Sequence, residues 1–258
     1  RERWLNKERG DRHILVNLTD FSARIIDHDV ITFETKSVVG ATDAKRRTVE
    51  FSDEMDHMVI NPTWNVPRSI TVGSYLPQLQ RNPGALGHLK LYDGSGRQVS
   101  RAGINFGAYN ARTFPFDLKQ PPSDSNALGL VKFMFPNQYN IYLHDTPQKH
   151  LFQRERRAYS HGCIRLHQPF DFAYHMLAPQ VSDPKTFFND ILDTGQETRV
   201  DIVEPVPVHI IYRTAFTDAK GRPQYREDIY GRDARIWAFL QREGVTAPGV
   251  EDASVPAV

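Results

Sequence analysis

Apolar and polar positions alternate with a period near two over residues 13–19, 21–26 and 30–39, each run bounded by polar residues or by Asp and Gly. That texture predicts three strands in an antiparallel meander. Residues 55–60 form a further apolar run stopped by Asn61-Pro62, and Trp64-Asn65-Val66-Pro67 follows with a second proline that discourages regular pairing. The spacing after Ser69 predicts a helix as far as Leu79, although Pro77 interrupts it. From 82 to 125 turn residues dominate (Asn82-Pro83-Gly84, Asp93-Gly94-Ser95-Gly96, Pro121-Pro122-Ser123-Asp124), which predicts an inserted, loop-rich segment acting as a mobile cap. Strand texture returns at 129–135 and 139–144, with Pro136-Asn137 as the turn of a hairpin. Helical spacing then covers 170–177, and 184–192 follows a Ser182-Asp183 cap and ends at Gly195. Residues 200–203 and 208–212 read as closing strands, 234–240 as a last amphipathic helix, and the tail from Thr246 as frayed. There is no internal repeat. Strands first and helices late predict an α+β, mainly β domain, not a doubly wound sheet.

At 258 residues the chain allows either one domain with an insertion or two domains. Its 40% hydrophobic and 24% charged residues are ordinary for a globular protein, and no apolar stretch approaches membrane-spanning length. Lys plus Arg exceed Asp plus Glu by one, 32 against 31, so net charge makes no case for nucleic acid as a partner. The first residue is Arg and no signal-like series follows, which predicts an N-terminus trimmed by processing or by design of the expressed chain. The single cysteine excludes an intramolecular disulfide and leaves Cys163 as a buried filler, a metal ligand or a reactive thiol.

Two stretches carry candidate chemistry: Ile141-Tyr142-Leu143-His144-Asp145-Thr146 and, after a loop, Ser160-His161-Gly162-Cys163-Ile164-Arg165-Leu166. A strand ending in His144, and a Gly162-Cys163 step read as the start of a helix, supply a base on a rigid element and a sulfur near backbone amides. Imidazolium and a helix N-terminus each stabilise thiolate, lowering a cysteine pKa from about 8.5 to about 3.5–7.5. Gly162 allows close approach of a substrate carbonyl, so the amides around Gly162 and Cys163 are candidate oxyanion donors. Bland alternatives stand beside these. His144 would also serve as a core histidine, and Trp64 with Pro67 as a turn covering core. The aromatics Tyr75, Tyr92, Phe106, Tyr109, Phe114 and Phe116 read either as a small core or as a groove lining. Arg154, Arg156 and Arg157 read as a solvated face or as an attraction for acidic groups. His150, His161 and His167 with Cys163 would make a zinc site.

The second stretch, with His144 upstream, resembles the signature of the L,D-transpeptidase family and its YkuD-type catalytic domain. Asn61-Pro62-Thr63-Trp64-Asn65-Val66-Pro67-Arg68-Ser69-Ile70, Asn126-Ala127-Leu128-Gly129 and Tyr142-Leu143-His144-Asp145-Thr146-Pro147 extend the likeness to the large Gram-negative members that carry a capping subdomain. The resemblance implies a YkuD-like β-sandwich or barrel core over 12–230, a capping subdomain at 82–125 and a C-terminal helix and tail at 231–258. It implies Cys163 as nucleophile and His144 as base, with the Asp145 carbonyl orienting the imidazole and His161 auxiliary beside Gly162. Arg165, Ser160 and Tyr142 become substrate-binding candidates, Arg165 either holding a stem carboxylate or tying down its loop. It further implies no metal or cofactor, a periplasmic setting, covalent inhibition by carbapenems, and peptidoglycan stem peptides as partners. In the implied reaction a tetrapeptide donor releases D-Ala through a thioester, and a diaminopimelate amine resolves it to a 3→3 cross-link. An L,D-carboxypeptidase or hydrolase, anchoring of an outer-membrane protein, and a wall-binding protein with a dead site are the alternatives.

Overall fold

The computed structural model describes residues 8–218 and 220–246. The meander forms as read: β1 (Arg12–Asn17), β2 (Ser22–Asp27) and β3 (Val30–Gly40) pair antiparallel in order. β4 (Phe51–Ile60) is longer than its apolar half suggests, because its first residues keep an exposed alternate face. β5 (Trp64–Asn65), β6 (Lys90–Tyr92), β7 (Gln98–Val99) and β8 (Asp117–Gln120) make a separate sheet in the order β5-β8-β6-β7. β9 (Val131–Met134) and β10 (Leu143–His144) form the expected hairpin. β10 keeps two residues because Asn140 turns at φ 52° and the Asn137 amide bridges the Phe135 and Ile141 carbonyls. β11 (Ala158–Ser160), β12 (Ile164–Leu166) and β13 (Thr198–Ile211) complete a nine-stranded mixed sheet, β11-β3-β12-β10-β9-β4-β13-β1-β2.

β3 pairs with β2 through one edge, where Ser37 N–H donates to the Phe21 carbonyl, and with β12 through the other, where His167 N–H donates to the Lys36 carbonyl. The sheet therefore runs back into itself as a barrel of β1–β4, β9, β10, β12 and β13, with β11 left at its edge beside β3. Its interior is filled by Ile14, Val16, Met58, Phe133, Leu143 and Ile164, all fully buried. The expected pair of closing strands is one strand, β13, whose register shifts between Asp201 and Val206, so an irregularity replaces a turn. β14 (Ala215–Thr217) and β15 (Pro223–Tyr225) form a small hairpin.

Between Pro67 and Asn82 lies one helical stretch: α1 (Arg68–Ile70), a π turn (Thr71–Tyr75) and α2 (Leu76–Arg81). Leu76 N–H bonds to the Thr71 carbonyl in the wide π register just ahead of Pro77, which has no N–H to donate and crowds the turn before it. The helices α3 (Pro169–Leu177) and α4 (Pro184–Asp193) pack on the barrel through Phe172, Ala173, Met176, Leu177 and Phe188. Asp183 caps α4 by accepting from Thr186 N–H, and α5 (Arg232–Arg242) follows the last hairpin. Positions beyond Thr246, where the frayed tail was expected, lie outside the described residues.

The segment read as loops has a core of its own. Trp64, Leu79, Leu91, Phe106, Phe114 and Leu118 are buried together, and the cluster extends from Trp64 to Leu128, on both sides of 82–125. Its chain enters and leaves at two asparagines. Asn61 donates to the Leu192 carbonyl at the end of α4, and Asn126, with no exposed surface, donates to the carbonyls of Pro62, Gln120 and Pro121. Gly129, at φ +63°, then leads into β9. A Cβ there would stand 2.2 Å from an Asp145 carboxylate oxygen, the same oxygen that accepts from Leu130 N–H and so joins the outer ends of β9 and β10. Gly129→Ala combines a left-handed backbone strain with overpacking, for an expected loss of about 3 kcal/mol. Urea unfolding checks it, and a midpoint equal to that of the unsubstituted protein would sink the account.

Candidate active site

The site is a product of strand register. β10 runs parallel to β12 with Leu143 opposite Ile164 and His144 opposite Arg165, and antiparallel to β9 with Leu143 opposite Phe133 and His144 opposite Lys132. Neighbours across a sheet point to the same face, so Phe133, Leu143 and Ile164 fill the barrel while Lys132, His144 and Arg165 form a row on its other side. Two residues before His144 and Arg165, just ahead of the two strands, Tyr142 and Cys163 share that outer face. Tyr142 packs against both hydrophobic cores, its ring centroid 5.7 Å from that of His144.

Cys163 does not begin a helix, as the Gly-Cys step suggested. It closes the tight turn between β11 and β12, and the next helix, α3, starts at Pro169. Arg165 and Leu166 are taken into pairing with Val38 and Ser37 of β3, which leaves no room for a helical turn. The turn is pinned by side chains instead. Ser160 Oγ donates to the Cys163 carbonyl at 2.5 Å and accepts from Gly162 N–H at 3.1 Å, and Thr48 Oγ1 donates to the Gly162 carbonyl at 2.8 Å. Gly162 sits at φ +117°, a conformation that a residue with a side chain rarely adopts. With Gly162 N–H engaged by Ser160, the Cys163 N–H is the amide of this step that has no hydrogen-bond partner among the described residues.

His144 is buried, with its Nδ1 against the Asp145 carbonyl, so Nδ1 carries the proton and Nε2 the lone pair. Burial, and then the charges of Arg165 and Lys132 on either side, hold the imidazole down to about 3. The Cys163 thiol lies 3.6 Å from the Asn140 carbonyl and is hydrogen-bonded by the Tyr142 phenol. Burial pushes it up to about 11, the Tyr142 contacts and Arg165 opposing. Burial, and for the imidazole the flanking cations, favour the neutral form of each group, whereas the Gly-Cys step had suggested a thiolate held by imidazolium and a helix terminus; no helix terminus stands here to offset the desolvation of the thiolate. No hydrogen bond joins His144 to Cys163 among the described residues.

Other candidates disperse. His161 is exposed, its imidazole held down by burial and by Arg46. His150 and His167 are exposed, and no group of three His, Cys, Asp or Glu side chains converges among the described residues, so the zinc alternative is not assembled. Arg157 donates to the Ser37 and Phe21 carbonyls with its cation over the Phe21 ring, a structural clamp where a solvated face was one reading. Arg156 pairs with Glu227. Asp145 points its carboxylate toward Lys149, Thr146 N–H and Leu130 N–H, and only its carbonyl toward the imidazole. Thr48 and Lys132 escape sequence reasoning. Thr48 lies 114 residues before its partner, and Lys132 looks like any polar alternate of a strand.

Between barrel and small core lies a cavity of about 320 Å³ whose walls include Trp64, Tyr75, His88, Thr146, Gln148 and Arg165. The Arg165 side chain is largely buried and donates to Gln148 Oε1 at 2.7 Å, while its Nε has no partner.

The family model for the L,D-transpeptidase catalytic domain, YkuD, matches residues 11–210. A curated Haemophilus influenzae protein, provisionally named an L,D-transpeptidase, is 31% identical over 225 residues, which cover 86% of this chain and 45% of that protein. This chain therefore spans less than half the length of that relative. Among solved structures, an L,D-transpeptidase from Mycobacterium smegmatis aligns over 78% of this chain and 58% of its own at 11% identity, with a TM-score of 0.35. L,D-transpeptidase 3 from Mycobacterium tuberculosis, in complex with a faropenem-derived adduct, aligns over 78% and 60% at 12% identity, with a TM-score of 0.33. With the family model covering well over half of the sequence and a relative sharing nearly a third of its residues across most of it, the chain belongs to the L,D-transpeptidase family and carries its YkuD catalytic domain.

Proposed function

We propose that this chain is a peptidoglycan L,D-transpeptidase of the cell envelope, with the periplasm as its setting, and that Cys163 is its acylated nucleophile. The observation that carries the reading is the register of β10 and β12, which brings a thiol, a phenol, an imidazole and a guanidinium together on the face of the sheet away from the barrel interior. No helix among the described residues is long and apolar enough to cross a membrane.

In this reading the donor is a tetrapeptide stem. Its carbonyl between diaminopimelate and terminal D-Ala meets the sulfur. Since thiol and imidazole start neutral, the S–H proton passes to His144 Nε2 as the S–C bond forms, with general-base catalysis in place of a stored thiolate. The developing oxyanion takes the Cys163 N–H, held by the Ser160 and Thr48 contacts. Collapse breaks the C–N bond, and His144 returns its proton to the leaving D-Ala amine. A diaminopimelate side-chain amine then attacks the thioester and loses a proton to His144, the C–S bond breaks as the amide of the 3→3 cross-link is left, and His144 returns the proton to the sulfur. The small core from Trp64 to Leu128 acts here as the wall over the donor, excluding water from the thioester.

Muropeptide mass spectrometry tests the reading. The protein incubated with tetrapeptide-stem disaccharides should yield 3→3 dimers and free D-Ala, and Cys163→Ala should yield neither while staying folded. Products at the unsubstituted level from Cys163→Ala would end the nucleophile assignment. By the same thiol chemistry a carbapenem should add its mass to the intact protein at Cys163, and a folded, unlabelled sample would count against it. The pH dependence follows from the thiol being raised to about 11. Below that value the thiolate fraction, and with it alkylation of the free protein by iodoacetamide, should climb about tenfold per pH unit from pH 7 to 10. A plateau reached below pH 8 would mean a preformed ion pair and overturn the neutral resting state.

A further inference from the structure

We infer that Thr48 and Tyr230 are positioning residues for acylation, and that together they aim the Cys163 N–H at the developing oxyanion although Tyr230 lies past the last strand of the barrel. The inference rests on the transpeptidase reading for the reaction and on a closed set of hydrogen bonds for its physics. The Gly162 carbonyl and the Cys163 N–H belong to one peptide plane, in which a trans bond points them in opposite directions. Whatever grips the carbonyl therefore sets the line of the N–H. The grip is Thr48 Oγ1, which donates to the Gly162 carbonyl at 2.8 Å while accepting from Gly40 N–H at 2.9 Å. Thr48 has no exposed surface, so donor and acceptor together hold its hydroxyl in one orientation. Ser160 secures the peptides on either side, through Gly162 N–H and the Cys163 carbonyl, and leaves this one to Thr48.

Thr48 is held in turn from behind. It stands in the connection between β3, which ends at Gly40, and β4, which begins at Phe51, and so has no ladder of its own. Its backbone is satisfied by side chains instead. The Tyr230 phenol accepts from Thr48 N–H at 3.3 Å and donates to the Gly40 carbonyl at 2.6 Å, and Arg232 donates to the Thr48 carbonyl and to Glu50, each at 2.7 Å. Burial pushes the Tyr230 phenol above its ordinary value, which keeps it a donor. Gly40 lets the connection close onto the strand: a Cβ there would stand 2.1 Å from the Arg46 carbonyl oxygen and 2.5 Å from the Thr48 nitrogen.

Tyr230 and Arg232 come from the segment after β13, beyond the residues 11–210 that the family model matches. That segment is itself fastened. The Tyr230 ring stacks on Tyr212 with centroids 5.7 Å apart, and the Arg232 guanidinium lies over both rings, 4.8 Å from the Tyr212 centroid and 5.1 Å from that of Tyr230. The Tyr212 hydroxyl accepts from Tyr230 N–H and donates to Asp228, whose carboxylate also takes the Arg232 and Ala234 N–H groups at the start of α5. A continuous set of contacts therefore runs from the start of α5 to the Gly162 carbonyl. Thr48 and Tyr230 touch no reacting atom; they act by keeping one peptide plane from tilting while charge builds on the oxyanion.

The experiment compares two reactions of Cys163 that make different demands on that plane. Acylation by a carbapenem forms an S–C bond to the lactam carbonyl, breaks the ring C–N bond and leaves the S–H proton on the ring nitrogen, and an oxyanion develops on the way. Alkylation by iodoacetamide displaces iodide at a saturated carbon and develops none. Both rates are followed by intact mass on the whole chain carrying Thr48→Val, Thr48→Ser or Tyr230→Phe. Thr48→Val should be acylated about ten- to a hundredfold more slowly than the unsubstituted protein, with its alkylation rate unchanged. Tyr230→Phe should show the same selective loss, to a smaller degree, and Thr48→Ser, which keeps the hydroxyl, should be acylated as the unsubstituted protein is. An unchanged acylation rate in folded Thr48→Val or folded Tyr230→Phe overturns the inference, and so does an equal fall in acylation and alkylation, which would mean a general loosening of the turn. Tyr230→Phe removes one oxygen and keeps the ring stack, so it decides the matter if Thr48→Val does not fold. No adduct on the unsubstituted protein overturns the transpeptidase reading and this inference with it, whereas adducts formed at one rate in every variant overturn the inference alone.

Discussion

Parallel pairing of two very short strands, β10 and β12, is the constraint on which the rest of this structure depends. Each contributes a fully buried residue to the barrel, Leu143 and Ile164, and the burial of that pair against Phe133 is what fixes the register. A slip by one residue would turn Leu143 outward and His144 into the hydrocarbon interior, so the core selects the register and the register assembles the site. The barrel closure through β3 serves the same end. Val38 and Ser37 hold β12 on the side away from β10, and the edge strand β11 delivers the turn that carries Cys163.

The electrostatics follow from this packing. An imidazole set between Lys132 and Arg165 in one cross-strand row and cut off from water has little capacity for a second proton. A thiol beside the Tyr142 phenol and the Asn140 carbonyl, with no helix terminus beneath it, has little tendency to ionise. The consequence is a site that is quiet at rest. In the proposed reaction the Cys163 sulfur would become reactive as a bound carbonyl accepts its electron pair, which ties proton transfer to substrate.

The small core completes the arrangement. It is a packed unit with its own sheet, its two ends tied together by the Asn126 amide, and it meets the rest of the fold through the Asn61 amide on Leu192 and through Tyr142, which packs on both clusters. Trp64 and Tyr75 from this unit line one cavity together with Arg165 of β12.

The chain's alternation by itself determined most strands, the hairpin of β9 and β10, and the helices α3 and α4, because period and punctuation are local properties. Motif spelling was enough to single out His144, Gly162 and Cys163 and to reach the family. Aromatic content offered a small core as one reading of residues 82–125, and Phe106 and Phe114 are buried in one; the strands of that unit escaped local signals, since short strands separated by turns read as loops until their apolar faces meet. Nor did they reveal that Cys163 precedes a strand, because Gly-Cys suits a helix start as well as a tight turn, and pairing with β3 decides between them. Thr48 holding the Gly162 carbonyl, Lys132 flanking the imidazole and the unpaired Nε of Arg165 are contacts between strands far apart in sequence. The protonation of the site was likewise a tertiary matter: residue types fix which groups titrate, but desolvation and neighbouring charge, which exist only once the barrel has closed, fix where.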